Sequence, residues 1–444
     1  MHRFSYLHAL FIALLFLVAA PAVAQTDSDA GDETFTPIDE IEIPVGGGLI
    51  ETPIAVPNTY NLGETDPDGV GQRIASIIRT CLEISGYFEV YGPDRYFFDP
   101  DEEGMTPSTI NFENWFNIGA QALVKTSFRV ASNQVALDFR LYSVDTGQQI
   151  DIGYVPVTVP LNDVDAEVYR FVNLIIEHYT GFPGIFGTQI AFVGRDSNGL
   201  KQIYTTTVDG TRMGQVTDVG PINLLPAWGP GGVMYTTYRS GDPDLYVGNT
   251  PFLQRSGLDS GAAMSPSGGE IALTLSMNGH ADIYIVDTNG DILRRCTDHP
   301  AEDLSPTWSP DGSQIAFVSD RSGGPQIFVM NADCSGQRRL TFAGNYNTTP
   351  DWSPNGDVIA FTGRDSRNRF DIFTVDPATS FIRRLTQDQG NNEEPSFSPD
   401  GRYLVFQSTR GGGGSRLWVM TADGQSQTCI TPNSTGLEQP AWAR

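Results

Sequence analysis

The sequence predicts an α+β N-terminal domain, two helices on a small mixed sheet, followed by a six-bladed β-propeller closed by its own C-terminal strand. Three observations predict it. Five related lines begin at Pro226, Ala262, Pro306, Pro350 and Pro395, each a variant of "PTWSPDGSQIAF". Their shared prolines, Pro230, Pro266, Pro310, Pro354 and Pro399, are separated by 36, 44, 44 and 45 residues, about the length of a four-stranded blade. The ends of the array complete each other, since "TQIAFVGRDSNGLKQIYTT" from Thr188 lacks a first strand and the final "QPAWAR" is such a strand with nothing after it. Joined, they make a sixth blade and close a ring, which removes the open ends that a solenoid must cap.

The elements follow in chain order. Residues 1–24 read as a secretory signal peptide: Arg3 lies in a short polar start, Ala9 to Ala20 is apolar, and "AVA" precedes a cut between Ala24 and Gln25. An apolar run of 12 residues is too short for the roughly 20 that a spanning helix needs. The residue after the cut is not cysteine, so neither membrane insertion nor a lipid anchor is expected. Residues 25–46 are acidic, with seven carboxylates and no base in "QTDSDAGDETFTPIDEIEIP". The first half of that segment is expected to be flexible. In the second half Ile38, Ile41, Ile43 and Val45 alternate, a pattern that could add as a strand to another chain's sheet edge.

Residues 47–182 mix both periodicities. Val70, Ile74, Ile77, Ile78, Cys81 and Leu82 recur at helical spacing ahead of Gly86, a helix C-cap. Val164, Val168, Phe171, Val172, Ile175 and Tyr179 do the same between Asp163 and Gly181. "ALVKTSFRV" and "VALDFRLYSV" alternate as strands around an "ASNQ" turn, and "DTGQ" turns the chain into "QIDIGYVPVTV".

Residues 183–444 hold the propeller. In each blade the strand ending at the aromatic is innermost, and the Ser-Pro-Asp-Gly or Ser-Pro-Asn-Gly stretch turns to the next strand. Trp228, Met264, Trp308, Trp352, Phe397 and Trp442 are then expected between neighbouring blades, since aromatics at strand spacing are usually core. This sorts the loops onto two faces. The Asp-Gly turns and "NADCSGQ" share one; "DRSGGPQ", "GRDSRNR" and "TRGGGGSR" share the other, with Arg195, Arg239, Arg321, Arg364, Arg367 and Arg410. Binding is expected on this second face, where irregular loops sit on a rigid scaffold.

Composition narrows the function. There are 53 acidic against 27 basic residues, net charge −26, and lysine occurs only at Lys125 and Lys201, so no nucleic-acid partner is expected. Of the four cysteines, Cys296 and Cys429 occupy equivalent places in different blades and are expected as buried free thiols. There is no G-x-S-x-G, H-E-x-x-H or Walker motif, and His178, His280 and His299 are scattered. No catalytic residue, metal site or cofactor is therefore expected; the chain reads as a monomeric binding protein. The alternative is a propeller that takes a small ligand or metal ion in its channel, or one that accompanies an enzyme.

Taken together, "GVGQRIASIIRTCLEISGYFEV", "FENWFNIGAQALVKTSFRV", the junction "TGFPGIFGTQIAFV" and the array ending in "PAWAR" resemble the TolB family of the periplasmic Tol-Pal envelope system. The resemblance covers Ile41 to Arg444. It implies a non-enzymatic periplasmic scaffold that links the C-terminal domain of TolA, at the inner membrane, to the Pal lipoprotein at the outer membrane and peptidoglycan. Outer-membrane invagination during cell division and envelope integrity would depend on it. It further implies a TolA-binding segment at Ile41, Glu42, Ile43, Pro44, Val45 and Gly46. The implied Pal face comprises Leu258, Gly261, Asp303, Leu304, Ser305, Thr348, Thr349, Glu393, Glu394 and Glu438, expected just before the inner strands. Two departures stand out: an acidic stretch precedes the TolA-binding segment, and the third blade's loops are apolar where the family is commonly polar.

Overall fold

The computed structural model describes residue 38 and residues 51–63, 66, 68–277 and 279–444. The expected signal peptide, its expected cleavage site at Ala24 and Gln25, and the stretch Ile41–Gly46 lie outside the described residues. The N-terminal part contains β1 (Thr52–Ala55), β2 (Tyr60–Asn61), α1 (Val70–Ser85), β3 (Phe88–Tyr91), α2 (Phe112–Asn117), β4 (Ala122–Ala131), β5 (Gln134–Ser143), β6 (Gln149–Ile150), β7 (Val157–Pro160) and α3 (Val164–Thr180). The sheet is mixed, in the order β3-β1-β4-β5-β6, with β2 on β4 and β7 on β5.

Both long helices end as their sequences dictate. Gly86 and Gly181 adopt left-handed φ values of 72° and 75° and return backbone N–H groups to Glu83 and Glu177, the glycine C-cap geometry. Their apolar stripes, among them Ile74, Ile78 and Leu82 of α1 and Phe171 and Ile175 of α3, bury against Phe128, Leu137 and Phe139 of the sheet. "QIDIGYVPVTV" forms two short strands instead of one. Gly153 takes φ 74° and its N–H donates to Asp151 Oδ1 at 2.9 Å, breaking the extended run between β6 and β7.

The remainder forms six four-stranded sheets. Blade one consists of Gln189–Arg195, Lys201–Thr207 and Gly214–Gln215 from the start of the array, with Glu438–Trp442 from its end as the inner strand. Trp442 pairs with Ile190 and Ala441 with Ala191, so the ring closes as expected. The inner strands of blades two to six are Asn223–Gly229, Asp259–Met264, Asp303–Trp308, Asn347–Trp352 and Asn392–Phe397.

Neighbouring blades are joined by the aromatic residues of those inner strands. Trp308 Nε1 donates to the Ala263 carbonyl at 3.1 Å, and Trp228 Nε1 to that of Ala441 at 2.9 Å. A buried polar link repeats beside them. Thr386 Oγ1 donates to Asp371 Oδ1 at 2.8 Å while accepting from the Ile372 N–H, and Asn392 Nδ2 of the next blade reaches the same Asp371 oxygen at 3.0 Å. Thr341 with Gln326 and Asn347, and Thr217 with Gln202 and Asn223, repeat the pattern.

One cysteine expectation is corrected. Cys296 is disulfide-bonded to Cys334, with Cα atoms 4.7 Å apart, while Cys81 is free and buried and Cys429 is free but only half-buried. Cys296 follows the outer strand Ile292–Arg295 of blade three, and Cys334 lies in a turn of blade four after Gln326–Asn331. Comparing equivalent positions across repeats hides this pairing, because it joins inequivalent positions of adjacent blades. Gln337 Nε2, which donates to the Cys296 carbonyl at 2.8 Å, marks the same seam.

The two parts of the molecule share a core. The cluster beneath α1 and α3 continues into Tyr403, Val405, Leu417 and Ile430 of the propeller. Tyr403 Oη donates to the Ser85 carbonyl at 3.1 Å, Tyr169 Oη to Asp209 at 2.9 Å, and Arg212 pairs with Asp165 at 2.7 Å. These contacts lie toward the Asp-Gly face, leaving the other propeller face to the loops.

Candidate functional site: the mouth and neck of the channel

Every inner strand carries a bulge. Register slips between Leu224 and Ala227, Ser260 and Ala263, Leu304 and Thr307, Thr348 and Asp351, Glu393 and Ser396, and Glu438 and Ala441. Inside each slip one residue, Leu225, Gly261, Ser305, Thr349, Glu394 or Gln439, takes φ between 51° and 62°. The bulge re-aims these residues, as bulges do, and together they line the central channel.

This corrects the expectation that the site residues precede the inner strands. Only Leu258 does; Gly261, Asp303, Leu304, Ser305, Thr348, Thr349, Glu393, Glu394 and Glu438 lie within them. The Pro-x-Trp pattern shows only the half of each strand beyond the bulge, because a slip breaks the period of two on which strand patterns rest.

The channel has three zones. On the loop face a mouth of about 80 Å³ is lined by Leu224, Leu225, Leu258, Leu304 and Tyr346, with Thr348, Thr349 and Glu394. A neck of about 180 Å³ follows, ringed by the bulge residues and by Pro226, Pro306, Pro350, Pro395 and Pro440. It opens toward the Asp-Gly face into a vestibule of about 660 Å³ edged by Trp228, Met264, Trp308, Trp352 and Trp442.

Carboxyl groups gather along the channel. Asp351 lines the neck and is paired with Arg444. Glu394 also lines it, and its Oε2 is enclosed without a hydrogen-bond partner. Burial raises the Glu394 carboxyl to about 8; Glu393 and Glu438 add to the rise, while Lys201 and Gln439 oppose it. Glu393, 5% exposed, accepts from Gln407 Nε2 at 3.1 Å, and burial lifts it to about 7 against that bond, with Glu438 adding. Glu438 holds Lys201 at 2.6 Å. Burial also raises the Tyr346 phenol, against the pull of Arg364, whose guanidinium lies 4.6 Å from the ring centroid.

The arginines of the loop face divide, with Arg321, Arg364 and Arg410 half-buried and Arg195, Arg239 and Arg367 exposed. Arg321 pairs with the fully buried Asp303 at 2.7 Å, and Arg410 donates to Asn392 Oδ1 at 2.8 Å and Gln427 Oε1 at 2.6 Å. Each thereby ties a loop to an inner strand. Arg367 joins Asp365 and Asp388, Arg195 donates to the Gly199 carbonyl at 2.9 Å, and Arg239 packs against Gly220. Ile38 also reaches this propeller. It is 2% exposed and seated between blades four and five against Gly344 and Gly363, where a Cβ added to Gly363 would come within 2.9 Å of its Cδ1.

Sequence reasoning passed over Leu225, Tyr346, Gln439 and Lys201. A signal for two of them was present: Leu225 and Gln439 immediately precede the repeat's proline, as Ser305, Thr349 and Glu394 do. Among the described residues no group of three or more His, Cys, Asp or Glu side chains is arranged to hold a metal ion.

A family model described as the TolB beta propeller domain matches residues 176–444, and one described as the TolB amino-terminal domain matches residues 39–150. The chain belongs to the TolB family. A Tol-Pal system protein TolB from Anaeromyxobacter dehalogenans (strain 2CP-C) is 42% identical, the match covering 98% of each chain. The TolB of Desulfosudis oleivorans is 36% identical over 56% of this chain and 58% of that protein. A crystal structure of TolB from Acinetobacter baumannii superimposes with a TM-score of 0.73 at 25% identity, covering 88% of this chain and 96% of the other. The channel described above is therefore that of a Tol-Pal system component built on the TolB architecture. Among the described residues no helix is long and apolar enough to cross a membrane.

Proposed function

We propose that this TolB-family protein is a periplasmic adaptor that binds Pal at the loop-face mouth of its propeller and the C-terminal domain of TolA through Ile41–Gly46. In this reading residues 1–24 are a cleaved signal peptide, residues 25–46 a binding segment, residues 47–182 the first domain and residues 183–444 the propeller. The observation that carries the Pal assignment is the convergence of Leu258, Leu304, Thr348, Thr349 and Glu394, drawn from four blades, on one apolar mouth. Concave apolar sites with a few placed polar groups are where binding concentrates. Linking the two partners would couple the inner membrane to the outer membrane and peptidoglycan, in support of envelope integrity and of constriction at division.

The test has two arms. Deleting Asp39–Gly46 abolishes binding of the TolA C-terminal domain in pull-downs and leaves Pal binding intact or stronger. Retained TolA binding would refute the segment assignment, and failure of the full chain to capture Pal would refute the adaptor reading.

A further inference from the structure

Three features of the channel converge on one partner group. The mouth sets Leu224, Leu225, Leu258 and Leu304 with Tyr346 among serine and threonine hydroxyls, so it offers apolar surface along which an aliphatic stem can pack. Glu394 stands where the mouth meets the neck, lining both, and its Oε2 is enclosed and unpartnered. Around that oxygen carboxyl groups outnumber bases. Glu393 lies on the same strand, Glu438 on the inner strand of blade one, and Lys201 is held on Glu438 at 2.6 Å. From blade five Tyr346 faces the same space, with Arg364 against its ring.

We infer that the neck is a socket for one cationic side chain of the partner protein, a lysine or arginine whose stem lies along the leucines of the mouth and whose charge meets Glu394. This rests on the reading of the mouth as the Pal face and names what that face selects. Lysine and arginine suit the path because their methylene stems pack on apolar surface while the head reaches a polar site. A metal ion suits it less, since no group of three or more metal-ligating side chains is arranged here among the described residues.

The socket has a proton signature. In the free protein the Glu394 carboxyl, raised to about 8, carries its proton at pH 7. An arriving cation favours the carboxylate, so the proton leaves to buffer as the ion pair forms.

The experiment is titration calorimetry of the full chain with the soluble domain of the cognate Pal, at pH 7, in phosphate and in Tris. The expected result is release of about one proton per complex, read from the difference between buffers. Glu394→Gln, nearly isosteric, is expected to abolish that release and weaken binding about tenfold or more, its fold checked by melting. One lysine or arginine of the Pal domain, replaced singly by methionine, is expected to reproduce both effects. Equal heats in the two buffers, with Glu394→Gln binding within twofold of the parent, overturn the socket and leave the adaptor reading standing. Absence of any Pal binding by the parent overturns both. Calcium chloride titrated alone in Tris is the last arm: saturable heat that Glu394→Gln removes assigns the neck to a metal ion and overturns the inference.

Discussion

At the scale of single residues, Glu394 stands on a bulge whose conformation disfavours side chains and in a place that disfavours charge. Its carboxyl moves from the usual 4.5 to about 8 on folding, so the folded state holds a proton that the unfolded chain releases. The resulting stability is full below about pH 4.5 and is lost as pH rises toward about 8, at up to about 1.4 kcal/mol per pH unit. Glu393, lifted to about 7, acts in the same sense. Denaturant titrations at pH 5, 6.5 and 8 are expected to show falling stability, with Glu394→Gln flattening the slope; an unchanged slope in the variant would contradict this assignment. Little of this was legible in the sequence. Glu393 and Glu394 could be singled out by position, but the burial of Glu393, and the enclosure of one Glu394 oxygen without a partner, depend on strands that lie far away in the chain.

At the scale of elements, legibility depended on whether a local rule governed the outcome. The helix ends at Gly86 and Gly181 followed from capping chemistry, and the β4–β5 hairpin from alternation around "ASNQ". The inner strands were read short because the bulge disrupts the pattern that reveals a strand. The threonines behind outer strands, Thr217, Thr341 and Thr386, went unnoticed because a buried hydroxyl that orients the acceptor for the next blade's asparagine looks in sequence like any surface threonine. The Cys296–Cys334 bond was missed for a related reason: it spans a seam between blades, and repeats advertise similarity within blades. That bond closes a separation of 38 residues, and loss of such a crosslink typically costs about 2–4 kcal/mol. Cys296→Ser, or reduction of the parent, should lower the melting temperature to about the same extent, and reduction should have no further effect on the variant. Equal melting of the oxidised and reduced parent would count against a stabilising role.

At the scale of the whole molecule, the architecture was the most legible property, since six-fold repetition with complementary ends leaves few other ways to bury the array. The junction between the two parts was not legible, because it depends on which blades meet α1 and α3. The shared core running from Ile78 and Phe171 to Tyr403 and Ile430 implies that the parts unfold together. Gly86→Ala tests this, because φ is 72° there and a Cβ would meet Ser426 Cβ at 2.9 Å. A loss of about 1–2 kcal/mol is expected. Calorimetry should show one transition moved as a unit; two separated transitions would refute the coupling.

The pairing of Glu438–Trp442 with Gln189–Arg195 also bears on the order of assembly. Five blades are contiguous in the chain and can form as it becomes available, but blade one must wait for residues almost 250 positions later. Closure over so long a span is slow compared with local hairpins. Until it occurs, Gln189–Arg195 presents an unpaired edge of the kind that recruits other strands. A chain cut short before Glu438 would therefore keep that edge open, so the last few residues decide whether the ring has an exposed seam.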